Sequence, residues 1–114
     1  MVTVHIGAAL ICFANACYPT LVGPKTPLGE FNLTQRLTAS PGYGGDVLQF
    51  KETDKVVFAI HRVWALVPSQ QREARLQSAD PARRSITNGC VNVDPIVYEK
   101  LMACCVDGTL SIVP

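Results

Sequence analysis

The chain has 114 residues, 48% of them hydrophobic and 17% charged, with a formal net charge of +1. That length holds one domain, 1–114, and excludes a second core. The apolar fraction excludes a disordered chain, and the near-neutral charge excludes a field that would recruit nucleic acid or an anionic membrane. No apolar run approaches the ~20 residues a bilayer crossing needs, so no membrane span is expected.

Ile6 to Ala14 is apolar and runs into Ala14-Asn15-Ala16, a small-x-small pattern like that of an export-signal cleavage site. Yet no Lys or Arg precedes it, and Thr3-Val4-His5-Ile6 alternates as strands do. The reading is a strand pair, Val2 to Gly7 and Ala9 to Ala14. Any export signal is then removed or never existed. Gly23-Pro24-Lys25-Thr26-Pro27-Leu28-Gly29 is too dense in Pro and Gly to be anything but loop. Glu30 to Thr34 alternates cleanly and predicts a strand with one buried face. A loop, Ser40 to Gly45, precedes a short strand at Val47 to Phe50. Lys55 to Ile60 then gives a continuous apolar run that stops at His61, the pattern of a central strand buried on both faces.

The second half changes character. Ser69 to Gln77, after Pro68, predicts a short solvent-facing helix that Asp80-Pro81 breaks. Arg83 to Val93 reads as an extended or turning segment carrying Asn88-Gly89-Cys90. Asp94 and Pro95 have the residue types of an N-cap and a first helical residue. Val97, Leu101 and Cys104 or Cys105 make an apolar stripe at helical spacing, Gly108 ends the helix, and Thr109 to Val113 is a last strand.

Five cysteines is an odd number, so at least one thiol stays free or pairs outside the chain. Vicinal Cys104 and Cys105 are not expected to bridge. Cys12 and Cys17 could bridge across a hairpin, but buried apolar thiols are the preferred reading. With no Cys-x-x-Cys and no His/Cys cluster at ligand spacing, neither a metal nor a cofactor is expected.

Cys90 stands out by its neighbours. Gly89 lets the backbone turn sharply and leave N–H groups for an oxyanion, and a helix start four residues on would favour a thiolate. The bland alternative is an Asn-Gly turn followed by a small core residue. His61, at the end of the most buried strand, is placed as a base at a sheet rim would be; the alternative is a satisfied structural histidine. His5 is read as structural or exposed. Arg62, Arg72, Arg75, Arg83 and Arg84, interspersed with Glu73 and Asp80, form a solvated face by default. A carboxylate-bearing substrate would give some of them a second purpose. Trp64 either walls a groove or caps the core.

These residues together resemble the L,D-transpeptidases of the YkuD type. The signature of that family, a strand-end His and then Ser/Thr-His-Gly-Cys-x-Arg/Asn, reads here as Ile60-His61 and Thr87-Asn88-Gly89-Cys90-Val91-Asn92. An upstream hallmark, Gly and then Thr-Pro-x-Gly-x-Phe, reads as Gly23 and Thr26-Pro27-Leu28-Gly29-Glu30-Phe31. The subgroup with Ile-His-Arg-Val and a later Gly-Cys-Ile-Asn-Val matches Ile60-His61-Arg62-Val63 and Gly89-Cys90-Val91-Asn92-Val93. Asn88 departs from the pattern, standing where a His is common. The gap from residue 61 to 90 is long but similar to that subgroup.

The resemblance implies a mainly β domain, a small sandwich or flattened barrel with one or two short helices, working in the periplasm or cell envelope on peptidoglycan stem peptides. Cys90 would attack the carbonyl before the terminal D-alanine of a tetrapeptide stem, and the thioester would pass to an amine. His61 would be base and acid, the Arg62 carbonyl would orient its ring, and the Gly89 and Cys90 amides would hold the oxyanion. Thr87, Asn88, Asn92, Trp64 and Arg84 are the substrate-side candidates, Thr87 and Asn92 also bracing the loop. Resolution of the same thioester by water would instead make an L,D-carboxypeptidase, possible as a wall-directed toxin. A reading of another class, an inactive wall-binding module, draws weight from Asn88.

Overall fold

The computed structural model describes residues 1–114. Its strands are β1 (Val2–His5), β2 (Leu10–Phe13), β3 (Ala16–Pro19), β4 (Gly29–Asn32), β5 (Thr34–Leu37), β6 (Asp46–Glu52), β7 (Val57–Arg62), β8 (Val91–Val93) and β9 (Thr109–Val113). Helix α1 (Arg72–Leu76) lies between β7 and β8, and α2 (Pro95–Cys105) between β8 and β9. One sheet runs β3-β2-β1-β9-β4 and the other β5-β6-β7-β8. Each holds one parallel pair, β1 with β9 and β7 with β8, so both sheets are mixed. The expected mainly β class holds, but the sheets do not close into a barrel.

Alternation explains the core. Val4, Ile11 and Leu110 of one sheet and Leu48, Ile60 and Val93 of the other point into a single buried cluster, joined by Tyr98 and Leu101 of α2. Full burial of such side chains contributes roughly 1.5–3 kcal/mol each. Asp94 caps α2 by accepting from the Ile96 amide at 2.9 Å, with Pro95 at the first helical position. The apolar stripe ends on Cys105 rather than Cys104: Val97 and Leu101 are buried and Cys105 packs against the core, whereas Cys104 is exposed.

Two strands escaped the sequence. The Ala14-Asn15 pair has φ of +50° and +65° and turns the chain from β2 into β3. What imitates a cleavage site is thus a two-residue hairpin turn of the kind with positive φ at both central residues. Thr34–Leu37 forms β5 although every residue in it is exposed. Leu33, fully buried, is where the chain leaves one sheet for the other.

Both cysteine expectations are corrected. Cys12 and Cys17 face each other across the β2–β3 hairpin, with Cα atoms 4.0 Å apart, and are disulfide-bonded. Because Ile11 and Phe13 take the inward positions of β2, Cys12 is turned away from the core. Cys104 and Cys105 are also bonded, at the end of α2 where Val106 leaves helical geometry. Cys90 is the one free thiol.

Parallel strands cannot be joined by a tight turn, and residues 63–90 supply the crossover from β7 to β8. The expected helix over Ser69 to Gln77 is split there. A 3-10 turn, Pro68–Gln70, gives way to α1 through Gln71, whose φ of +52° interrupts any continuous helix. Asp80-Pro81 opens another 3-10 turn, Pro81–Arg84, capped by the Asp80 carboxylate. No helix is long and apolar enough to cross a membrane.

Candidate active site

The parallel pairing of β7 and β8 joins the two distant motifs. Its register sets Ile60 beside Val91 and His61 beside Asn92. Ile60 and Val91 go to the core, so His61 and Asn92 share the opposite face. Cys90, just before β8, has the same parity as Asn92. Cys90 and His61 thereby line the same two adjoining hollows, together with Tyr43. One hollow, of about 180 Å³, is walled by Val47, Val57 and Ala59, with Arg36 and Thr38. The other, of about 210 Å³, is more polar and is walled by Trp64, Gln70, Arg72, Thr87, Asn88 and Val56.

The loop that carries Cys90 is tied from both sides. Thr87 Oγ1 donates to the Cys90 carbonyl at 2.6 Å and accepts from the Gly89 amide at 3.2 Å. Gly89 has φ of +127°, and a Cβ there would meet the Phe58 ring at 2.5 Å. On the other flank, the Val22 carbonyl accepts from Ile86 and Thr87 amides at 2.8 and 3.0 Å. Gly23 presses so closely that a Cβ would lie 1.8 Å from the Thr87 carbonyl oxygen. The Gly89 amide is engaged by Thr87, whereas the Cys90 amide makes no hydrogen bond within the protein.

His61 is 3% exposed, and its Nδ1 lies 2.6 Å from the Arg62 carbonyl. A carbonyl only accepts, so Nδ1 carries the proton and Nε2 is the bare, basic nitrogen. Nε2 faces the Asn92 amide nitrogen at 3.3 Å. The orientation of that carboxamide follows from its oxygen, which accepts from Arg72 Nη1 at 2.9 Å and the Trp64 amide at 3.3 Å. Burial holds the His61 imidazole down to about 4, opposed by the Arg62 carbonyl and assisted by the charge of Arg72.

Burial likewise pushes the Cys90 thiol up, and a backbone contact at Ala59 and the charge of Arg72 offset this only in part. Its Sγ also makes a long contact, 3.8 Å to the Val57 carbonyl. The thiolate expected from a nearby helix start is not favoured, because β8 intervenes and the start of α2 is already capped by Asp94. At neutral pH the resting pair is a thiol and a neutral imidazole.

The other expected site residues divide. Trp64 packs against Tyr43 with ring centroids 4.8 Å apart, and Asn88 is exposed at the rim. Arg62 contributes its carbonyl, while its guanidinium pairs with Asp46 at 2.8 Å and lies over the Tyr98 ring. Asn92 is fully buried, so it contacts His61 rather than solvent. Arg84 is a correction. It is 5% exposed, outside both hollows, and its guanidinium donates to the carbonyls of Ala8, Ala9 and Ser78, tying the β1–β2 turn to the crossover.

Two residues in the site were not singled out from sequence. Tyr43 stands edge-on to His61, with centroids 4.7 Å apart; its only signal was a lone aromatic inside Gly42-Tyr43-Gly44. Arg72 belongs by sequence to a face of surface arginines, and nothing in its spacing separates it from Arg75. No group of His, Cys, Asp or Glu is arranged to hold a metal ion.

A two-sheet β domain with a thiol and an imidazole at one cleft is the class these features define. No family model and no curated protein matches the sequence. Solved structures do. L,D-transpeptidase 3 from Mycobacterium tuberculosis aligns over 99% of this chain and 60% of its own, with TM-score 0.66 and 11% identity. The L,D-transpeptidase LdtMt1 in complex with imipenem aligns over 98% and 57%, with TM-score 0.63 and 17% identity. An L,D-transpeptidase from Xylanimonas cellulosilytica aligns over 98% and 59%, with TM-score 0.60 and 14% identity. The fold is that of the YkuD-type L,D-transpeptidases, and the chain spans a little under two thirds of each of these structures.

Proposed function

We propose that the protein is a peptidoglycan L,D-transpeptidase of the cell envelope whose nucleophile is Cys90 and whose base is His61. The observation that carries this is the convergence of Cys90 and His61 on the same two hollows, with the His61 tautomer leaving Nε2 basic. The matched motifs and the shared fold support the substrate class.

In the first half-reaction, His61 Nε2 takes the thiol proton as Sγ bonds to the carbonyl carbon of the third stem residue. The Cys90 amide holds the oxyanion. Collapse breaks the C–N bond, and the imidazolium returns its proton to the departing amine of D-alanine. An amine of a second stem then attacks the thioester, gives its proton to His61, and leaves with the acyl group as the sulfur is reprotonated. Two hollows that share the pair leave room for a donor and an acceptor. Asn92 must release Nε2 before the first transfer.

The test is incubation with tetrapeptide muropeptides and mass analysis of the products, with Cys90→Ala as control. Cross-linked dimers formed only by the unaltered protein are the expected result. Tripeptides alone would replace transpeptidation by L,D-carboxypeptidation on the same thioester. No product from either protein would sink the enzymatic reading in favour of a wall-binding module.

A further inference from the structure

Arg72 lies beside the reacting pair without a counter-ion. Its Nε donates to Gln70 Oε1 at 2.8 Å and its Nη1 to Asn92 Oδ1 at 2.9 Å, both neutral amides. The ion pairs of the protein belong instead to Arg36 and Arg62. A partly desolvated guanidinium that meets only neutral acceptors is disfavoured, and its remaining N–H donors stay available for an anion. Burial accordingly pulls Arg72 below the ordinary arginine range.

The backbone is bent to put it there. Gln71, immediately before it, adopts φ +52° and ψ +39°, a left-handed conformation that a residue with a side chain rarely takes. Arg72 then walls the polar hollow that also holds Cys90 and His61. The other hollow has no equivalent. Its cation, Arg36, is exposed and already contacts Glu52 and Gln49. The charge waiting for a partner is therefore on one side only.

We infer that Arg72 is a specificity residue that binds a substrate carboxylate next to the scissile carbonyl. The inference rests on the acyl-transfer reading above and deepens it. Nη2 makes no hydrogen bond, and together with Nη1, once that group leaves Asn92, it matches a carboxylate by two parallel hydrogen bonds. Two carboxylates of a tetrapeptide stem lie near the reacting bond: that of the terminal D-alanine and that on the side chain of the third residue. An anion on Arg72 also competes with Asn92 for Nη1, so binding loosens the amide that covers His61 Nε2.

The experiment compares kcat/KM for a tetrapeptide stem with that for the same stem amidated at either carboxylate, using the unaltered protein, R72K and R72Q. For the unaltered protein, amidation at one of the two positions should lower kcat/KM about 10- to 100-fold, the size of a lost charged hydrogen bond. R72Q should lose a similar factor on the free acid and show no further loss on that amidation, with R72K in between. The ratio is read within each variant, so a general loss of fold or activity cancels. Equal losses on acid and amides in R72Q, with the ratio preserved, would overturn the inference.

Should no stem be turned over, the same comparison is made by calorimetric binding to C90A and to C90A carrying R72Q. Preference of C90A for the acid, abolished by R72Q, keeps the carboxylate site while removing the acyl-transfer reading. Equal binding of acid and amides, or none, removes the carboxylate site.

Discussion

The side-chain amide of Asn92 donates to His61 Nε2 at 3.3 Å, on the very nitrogen that would accept the Cys90 proton. The contact is enforced by β-sheet register, since these two residues are direct partners in the parallel β7–β8 pair. A donor on a basic lone pair stabilises the neutral imidazole and opposes protonation. In the resting state, then, burial and Asn92 act in the same direction.

Asn92→Ala should raise the His61 pKa from about 4 toward the ordinary 6.5. Imidazole NMR shifts followed against pH would report it directly. The substitution also leaves Arg72 and the Trp64 amide without their shared acceptor, so stability should fall by about 1–3 kcal/mol. An unmoved titration would mean that burial alone sets the base and that the amide is a bystander.

The same depression of His61 predicts how stability varies with pH. Below pH 6.5 the unfolded chain takes up a proton at this site that the native protein refuses until about 4. Stability is therefore undiminished by this group above 6.5 and falls by roughly 3 kcal/mol as pH drops through that window. Chemical denaturation at intervals across it should show the decline, and His61→Gln should flatten it. If both proteins lose stability in parallel, the histidine is not the source.

Cys90 gives the complementary limb. Its thiol is raised above 9.0, so alkylation by iodoacetamide should increase with pH well beyond neutrality rather than level off near 7. Acylation assisted by His61 should instead stay flat across neutral pH and fall only as the imidazole protonates. An alkylation rate already saturated at pH 6 would reveal a preformed thiolate and contradict the neutral pair.

How much of this was open to sequence reading differs residue by residue. The central strand ending at His61, the Asp94-Pro95 helix start and the Gly89-Cys90 turn are local patterns, legible because a few adjacent residues specify them. Strand β5 was invisible because all of Thr34–Leu37 faces solvent, leaving no alternation to read. The His61–Asn92 contact depends on parallel register across a long crossover, and no spacing rule encodes which residue faces which. Arg84 misled for a related reason. Its charge implied the surface, whereas carbonyls of Ala8, Ala9 and Ser78, distant in sequence, make burial tolerable.

A carbapenem offers a direct chemical test of the nucleophile, since one solved structure of this fold holds imipenem. Intact-mass analysis after incubation should show a single adduct, and peptide mapping should locate it at Cys90, the one thiol not in a disulfide. Cys90→Ala should remain unmodified. Because Cys12–Cys17 and Cys104–Cys105 are bonded, labelling that persists in the variant under non-reducing conditions would point to a nucleophile outside the proposed site.

The two loop glycines make the sharpest structural prediction, because different neighbours exclude a side chain at each. At Gly23 an added Cβ meets the Thr87 backbone at 1.8 Å, and backbone cannot step aside without moving the loop that presents Cys90. At Gly89 it meets the Phe58 ring at 2.5 Å, and φ of +127° adds strain that any L side chain would feel. Phe58 is only partly buried and has somewhere to go; Thr87 does not. Gly23→Ala should therefore lower stability more, by several kcal/mol or to the point of unfolding. Gly89→Ala should leave a folded protein whose Cys90 acylates at least tenfold more slowly, since the Cys90 amide would be turned from the reacting carbonyl. Thermal melting and carbapenem acylation on both variants measure the two effects separately. A Gly89→Ala protein that melts early yet acylates normally would show that this glycine serves the fold and not the site.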